Sequence, residues 1–137
     1  MKTVFLDTNI VIDFYSKRGE FYQPALMIFD LAKEEKFKIA VSATTFINAF
    51  YILRKIYEKT ELKQKMISLS KICIITDVTS DNVYQALNSE FKDFEDCIQV
   101  FSCKNIASDI IVTRNKKDFL SSKIRVLDPI EFLTEIS

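Results

Sequence analysis

Apolar and polar residues alternate along this chain in two textures. Five short apolar runs have the length and the β-branched or aromatic content of buried strands. They are KTVFL (2–6), FKIAV (37–41), ICIIT (72–76), DIIVT (109–113) and IRVL (124–127). Between them, apolar positions recur at helical spacing. TNIVIDFYSK (8–17) reads as one helix and 20–35 as a second, with Ala25, Ile28, Phe29 and Ala32 on one face and Pro24 near its start. Further helices are expected over 43–58, 61–71, about 80–90 and from Asp93 to about 106, and a last one begins at Pro129. Ser42 and Thr60 stand where helix N-caps belong, and Pro129 where a first-turn proline is tolerated.

Short apolar strands alternating with helices imply right-handed crossovers and a sheet covered on both faces. The expected fold is α/β, a three-layer α/β/α arrangement around a central, mainly parallel sheet of about five strands. One Gly and two Pro in 137 residues leave no linker and no low-complexity tract, so one domain over 1–137 is expected. In such sheets ligands bind beyond the carboxyl ends of the strands.

Charge adds little at first sight, because 19 basic and 19 acidic residues cancel. Their distribution is uneven: residues 1–71 hold 12 Lys/Arg against 8 Asp/Glu, and residues 72–137 hold 7 against 11. Either a basic surface beside an acidic pocket or a balanced solvated surface accounts for that. Asp7 and Asp13 interrupt the first apolar stretch, which argues against a signal peptide and a membrane span. Three cysteines without a CxxC pair read as reduced residues of a cytoplasmic protein.

The chain has no histidine. That excludes Ser-His-Asp and Cys-His nucleophiles, imidazole bases and His-ligated zinc. Hydrolytic chemistry would have to rest on carboxylates, amides, hydroxyls or lysine.

Oxygen donors gather where the strands end. Asp7 follows the first strand, Asn48 lies on the helix after the second, and Arg114, Asn115 and Asp118 follow DIIVT. An acidic knot, Glu90, Asp93, Glu95 and Asp96, opens the helix before DIIVT. Asp7 reads equally as a helix cap. Asp93 reads as an N-cap with Asp96 at the third helical position, or as a catalytic acid. Glu95 is expected to point away from the Asp93/Asp96 face, into solvent. Asn48 has apolar neighbours on both sides, so its amide is expected to be partly buried and in need of partners. Clustered carboxylates repel unless a cation neutralises them, and an oxygen-only donor set suits Mg²⁺ or Mn²⁺.

In this order and spacing, FLDTNIVIDFY, SATTFINAFYILRK, KDFEDCIQ and IVTRNKKDF resemble the PIN domain family over nearly the whole chain. Many PIN domains are Mg²⁺- or Mn²⁺-dependent ribonucleases, and the VapC-type toxins of bacterial toxin–antitoxin pairs are small examples. The resemblance makes Asp7, Asp96, Asn115 and Asp118 the metal-site residues, with Thr8 and Asn9 in support. Many active relatives carry Glu where this chain has Asn48, a departure that Asp93 or Glu95 would have to offset. The implied reaction is in-line attack of water on an RNA phosphodiester, leaving a 5′-phosphate and a 3′-hydroxyl, without a covalent intermediate.

On this reading RNA is the substrate, contacted by Arg114, Lys116 and Arg54, with Lys55 and Lys117 further candidates and Tyr15 and Phe94 available for stacking. An antitoxin protein is an expected partner. Homodimerisation is expected from Phe14, Tyr15, Phe21 and Tyr22. The alternative is a weakly active or inactive PIN-fold module that binds a partner. A phosphatase with an aspartyl nucleophile fits less well, because position 9 is Asn where a second Asp is needed.

Overall fold

The computed structural model describes residues 1–108, 110–119 and 123–137. Its strands are β1 (Thr3–Leu6), β2 (Lys38–Ser42), β3 (Cys73–Thr76), β4 (Ile110–Val112) and β5 (Arg125–Leu127). All pair in parallel, in the order β3-β2-β1-β4-β5. Asp109, expected to open the fourth strand, lies outside the described residues. The helices are α1 (Thr8–Ser16), α2 (Gly19–Lys33), α3 (Ala43–Leu53), α4 (Lys59–Ile72), α5 (Ser80–Leu87), α6 (Phe94–Lys104) and α7 (Pro129–Ile136). A 3-10 turn, Lys116–Phe119, follows β4.

Strand alternation builds the layers, because successive side chains point to opposite faces. Val4, Leu6, Ile39, Val41, Ile110 and Val112 face one way, into a core closed by Ile10, Phe29, Leu53, Leu69 and Phe132 from five helices. Phe5, Ala40 and Ile111 face the other way, onto Cys103 of α6 and Phe119 of the 3-10 turn. The central strands are therefore buried on both sides, as their unbroken apolar runs require.

Several boundaries differ from the sequence expectation. α3 stops at Leu53 instead of running to 58: Tyr57 turns back over the core, and its hydroxyl donates to the carbonyl of Tyr15. Glu58 takes over as N-cap of α4 by accepting from the Thr60 N–H at 2.9 Å, so Thr60 lies inside that helix. α5 and α6 end at Leu87 and Lys104, a turn or less short of expectation. α2 begins at Gly19, which puts Pro24 in its second turn.

The strand order reverses beside β1. From β1 the chain moves through α1 and α2 to β2 on one side, whereas β4 is reached later on the other. The carboxyl ends of β1 and β4 thus flank a topological switch point, where a crevice opens in folds of this kind. Among the described residues no helix is long and apolar enough to cross a membrane.

Candidate active site

Asp7 leaves β1 at that switch point and caps α1, its Oδ1 accepting from the Thr8 N–H at 2.8 Å. It is only 4% exposed. Three more donors reach it. Thr113 Oγ1, just past β4, donates to Oδ2 at 2.7 Å. Gln99 Nε2, from α6, donates to Oδ1 at 3.2 Å, and Asn9 Nδ2 lies 3.4 Å from Oδ2. The carboxylate is therefore fixed in orientation from three directions. Burial nevertheless pushes its pKa up, more than these hydrogen bonds bring it down, and the nearby charge of Asp118 adds to the rise.

Gln99 organises this floor. It is fully buried, accepts from the Ser42 hydroxyl, and donates to Thr45 Oγ1 at 3.1 Å as well as to Asp7. Thr45 and Thr8 share a hydroxyl–hydroxyl bond of 2.8 Å. The carboxyl ends of β1 and β2 and the start of α3 are thereby tied to α6 through polar groups that are all satisfied, as burial demands.

A cleft of about 300 Å³ lies above the floor, lined by Asp7, Thr8, Asn9, Asp93, Glu95, Asp96, Asn115 and Asp118, with Arg18, Ile12 and Ile52 at its edge. Asp93 is the N-cap of α6 as the sequence predicts, its Oδ1 accepting from the Asp96 N–H at 3.0 Å. Asp96 is half-buried, and its pKa is pushed up to about 7. Loss of solvent is the main cause, followed by the charges of Asp7, Asp93, Asp118 and Glu95. Asn115 is exposed and half a turn from Thr113, whose hydroxyl accepts its N–H at 3.0 Å.

Glu95 departs from expectation. It keeps contact with solvent but does not point away: it lines the cleft, and burial and the charge of Asp7 push its pKa up while the neighbouring Asn48 and Thr8 side chains favour its charged form. Asp93 belongs to the cap and not to the helix proper, so the Asp93–Asp96 spacing does not define the outward face of α6. Asn48 is half-buried behind Glu95 and does not itself line the cleft.

The expected RNA-contacting cations are largely engaged elsewhere. The Arg114 guanidinium grips Asp13, which is 1% exposed, through Nε at 2.6 Å and a second bond at 3.2 Å, and lies 4.0 Å from the Phe21 ring centre. Lys116 pairs with Glu131 at 2.6 Å, and Arg54 lies over the Tyr51 ring at 4.0 Å. Lys55 and Lys117 are exposed. Of the aromatic candidates, Phe94 is exposed, whereas Tyr15 is buried with its hydroxyl on the Lys65 carbonyl. Phe14 stacks on Phe29 at 4.2 Å, so of the four aromatics expected at a dimer surface only Phe21 is exposed.

Sequence reasoning missed Gln99, Thr113, Thr45 and Arg18. Gln99 carried a signal: a lone amide in the run CIQVF, on a face that has to be interior. Thr113 carried less, since β-branched residues are ordinary in strands.

Among the described residues no three Cys, Asp or Glu side chains already form a finished cation cage. The chemistry of the lining still fits a hard divalent ion: it offers oxygen donors, and its carboxylates raise one another's pKa across the cleft.

A family model described as a PIN domain matches residues 3–117. The chain belongs to the PIN domain family. Among its relatives, Ribonuclease VapC1 of Aquifex aeolicus (strain VF5) is 25% identical over 133 residues, spanning 94% of this chain and 92% of the relative. Two solved structures share the fold. A toxin-antitoxin complex from Klebsiella pneumoniae superposes with a TM-score of 0.66 at 23% identity, covering 92% of this chain and 97% of the other. DNA-bound VapBC from Salmonella typhimurium gives 0.68 at 16% identity, covering 94% and 99%. This PIN domain thus has the parallel five-stranded sheet of VapC-type proteins, and its relationship to a ribonuclease supports a nuclease.

Proposed function

We propose that this PIN domain is a Mg²⁺- or Mn²⁺-dependent endoribonuclease, the toxin of a toxin–antitoxin pair. The observation that carries the reading is the convergence of Asp7, Asp96 and Asp118, from three separate elements, on one cleft at the switch point. Asp7, Asp96 and Asp118 would hold the cation, with Asn115 as a neutral oxygen donor. When bound, the cation supplies positive charge to the scissile phosphate and acidifies a water molecule.

The chain's own residues then have distinct tasks. Asp7 is held rigid by Thr8, Thr113 and Gln99, so it serves as the fixed point of the site. Asp96, less buried and with its pKa pushed up to about 7 without a cation, would give up its proton to take part in holding the ion. Arg18, 3.8 Å from Asp13 and half-exposed at the cleft edge, attracts the RNA backbone. Arg114 holds the base of α1 to the end of β4, a positioning task.

The experiment is cleavage of total bacterial RNA with Mg²⁺ or Mn²⁺, followed by mapping of new ends. The reading predicts ends bearing 5′-phosphate that appear only with the metal and vanish in Asp7→Asn and Asp96→Asn. Cleavage unaffected by both substitutions would overturn it. A second reading, a partner-binding module, draws on the exposed apolar face of α3 and the turn after it, with Ile47 70%, Tyr51 59% and Ile56 57% exposed. On the nuclease reading that face takes an antitoxin or a second copy of the chain; on the module reading it is the whole function.

A further inference from the structure

A second and larger hollow, about 630 Å³, adjoins the acidic cleft. The two share Asp93, Asp96 and Asp118 as a common wall. From that wall the groove follows one stripe of α6, Asp96, Cys97, Val100, Phe101 and Lys104, which recur at i, i+1, i+4, i+5 and i+8 and so share a single helix face. Eight helical rises make the stripe about 12 Å long. Phe91 and Lys92, before α6, and Lys117, on the 3-10 turn, close the other sides.

The groove keeps four acids, Glu90, Asp93, Asp96 and Asp118, but adds lysines and aromatic rings that the cleft lacks. Lys92, Lys104 and Lys117 are all exposed, and none of them is ion-paired among the described residues. This sets them apart from Arg114 and Lys116, whose charges are already matched by Asp13 and Glu131. Phe91 is 44% exposed, a cost in water that a flat apolar partner would remove. The Phe101 ring is covered on one side by Lys104 Nζ at 5.3 Å.

We infer that this groove binds the single-stranded RNA flanking the scissile phosphate, with Lys92, Lys104 and Lys117 on the backbone and Phe91 and Phe101 against bases. The inference rests on the nuclease reading and names where its substrate lies. Lysines without ion pairs among the described residues, one exposed ring (Phe91) and one half-buried ring (Phe101) along one channel form a stacking-and-phosphate surface suited to single strands. Continuity with the cleft decides the occupant. A chain in this groove must pass over the Asp93, Asp96 and Asp118 wall, which places the next phosphate at the reacting carboxylates.

The test is fluorescence anisotropy with short, labelled 2′-O-methyl oligonucleotides, which resist hydrolysis, in the presence of Mn²⁺ and over a series of salt concentrations. For Lys92→Ala/Lys104→Ala/Lys117→Ala the expectation is affinity about tenfold or more below wild type and a logarithmic salt slope shallower by about 2. Phe101→Ala should weaken binding by about tenfold without changing that slope. Calorimetry with Mn²⁺ alone runs in parallel, and these variants should bind the metal as wild type does. Wild-type RNA affinity in both variants overturns the groove and leaves the nuclease reading standing. A wild type that binds Mn²⁺ but no oligonucleotide also overturns the groove alone, whereas one that binds neither removes both.

Discussion

The Asn48 side chain on α3 lies close enough to the Glu95 carboxylate at the start of α6 to favour its charged form. Thr8 acts on the same carboxylate in the same direction. An uncharged residue at position 48 therefore does not leave that corner of the site without negative charge; it favours charge that arrives from another helix. Glu95→Gln should weaken Mn²⁺ binding by about tenfold while leaving the melting temperature unchanged or higher. Moving the acid across the pair, in Asn48→Glu/Glu95→Gln, should restore most of that affinity. Calorimetry on the two variants measures both effects, and equal affinity in Glu95→Gln and wild type would reduce Glu95 to a bystander.

Thr113 and Gln99 hold Asp7 without lining the cleft. Thr113→Val removes a hydrogen bond to a buried carboxyl group and is expected to destabilise the fold by about 1–3 kcal/mol. Gln99→Leu should cost at least as much, because it also removes the acceptor of the Ser42 hydroxyl and a donor to Thr45. Urea unfolding of both variants provides the check, and a loss below about 0.5 kcal/mol for either would mean that the network is not what fixes Asp7.

The Arg114–Asp13 pair is expected to be structural. Asp13 is 1% exposed, so Arg114→Ala leaves a buried carboxylate with only the more distant Arg18, at an expected loss of about 3 kcal/mol. Lys116→Ala, which breaks the exposed pair with Glu131, should leave stability nearly unchanged, because water and salt screen that pair. Equal losses in the two variants would contradict the distinction.

The metal-free protein should lose stability as pH rises. Asp96 titrates near the ordinary aspartate value of 3.8 when unfolded and at about 7 when folded. Between those values the native state holds the extra proton, so its advantage fades as pH climbs through the window. Burial acts on Asp7 in the same direction. Saturating Mn²⁺ reverses the trend, because the ion competes with those protons. Melting temperatures from about pH 4.5 to 8, with and without Mn²⁺, measure this. Asp96→Asn should flatten the metal-free slope, and an unchanged slope in that variant would place the titration elsewhere.

Much of this arrangement was legible in the sequence, for physical reasons. The five apolar runs had to be strands buried on both faces, and parallel topology then placed Asp7 and the residues after Val112 at one sheet edge. The cap role of Asp93 followed from its three-residue spacing to Asp96. Side-chain direction was not legible. Whether Glu95 faces water or Asp7 depends on where α6 lies against α3, a tertiary quantity. The same holds for Arg114: its position beside the site was readable, but its capture by Asp13 required knowing that α1 carries Asp13 past the end of β4. Helix ends were misread where a side chain reset them, as Tyr57 does after α3 and Glu58 before α4.

The most direct test of the account is calorimetric titration of Mn²⁺ into wild type, Asp7→Asn and Asp96→Asn. Asp96→Asn removes a carboxylate that burial and its neighbours disfavour and should not lower the melting temperature. Asp7→Asn sets an amide nitrogen against the donors around Asp7 and should lower it, so circular dichroism must show that variant folded. The account predicts Mn²⁺ binding to wild type and its loss in both variants, with the fold intact. Wild-type affinity retained in both, or a well-folded wild type that takes up no Mn²⁺ with or without RNA, would contradict it.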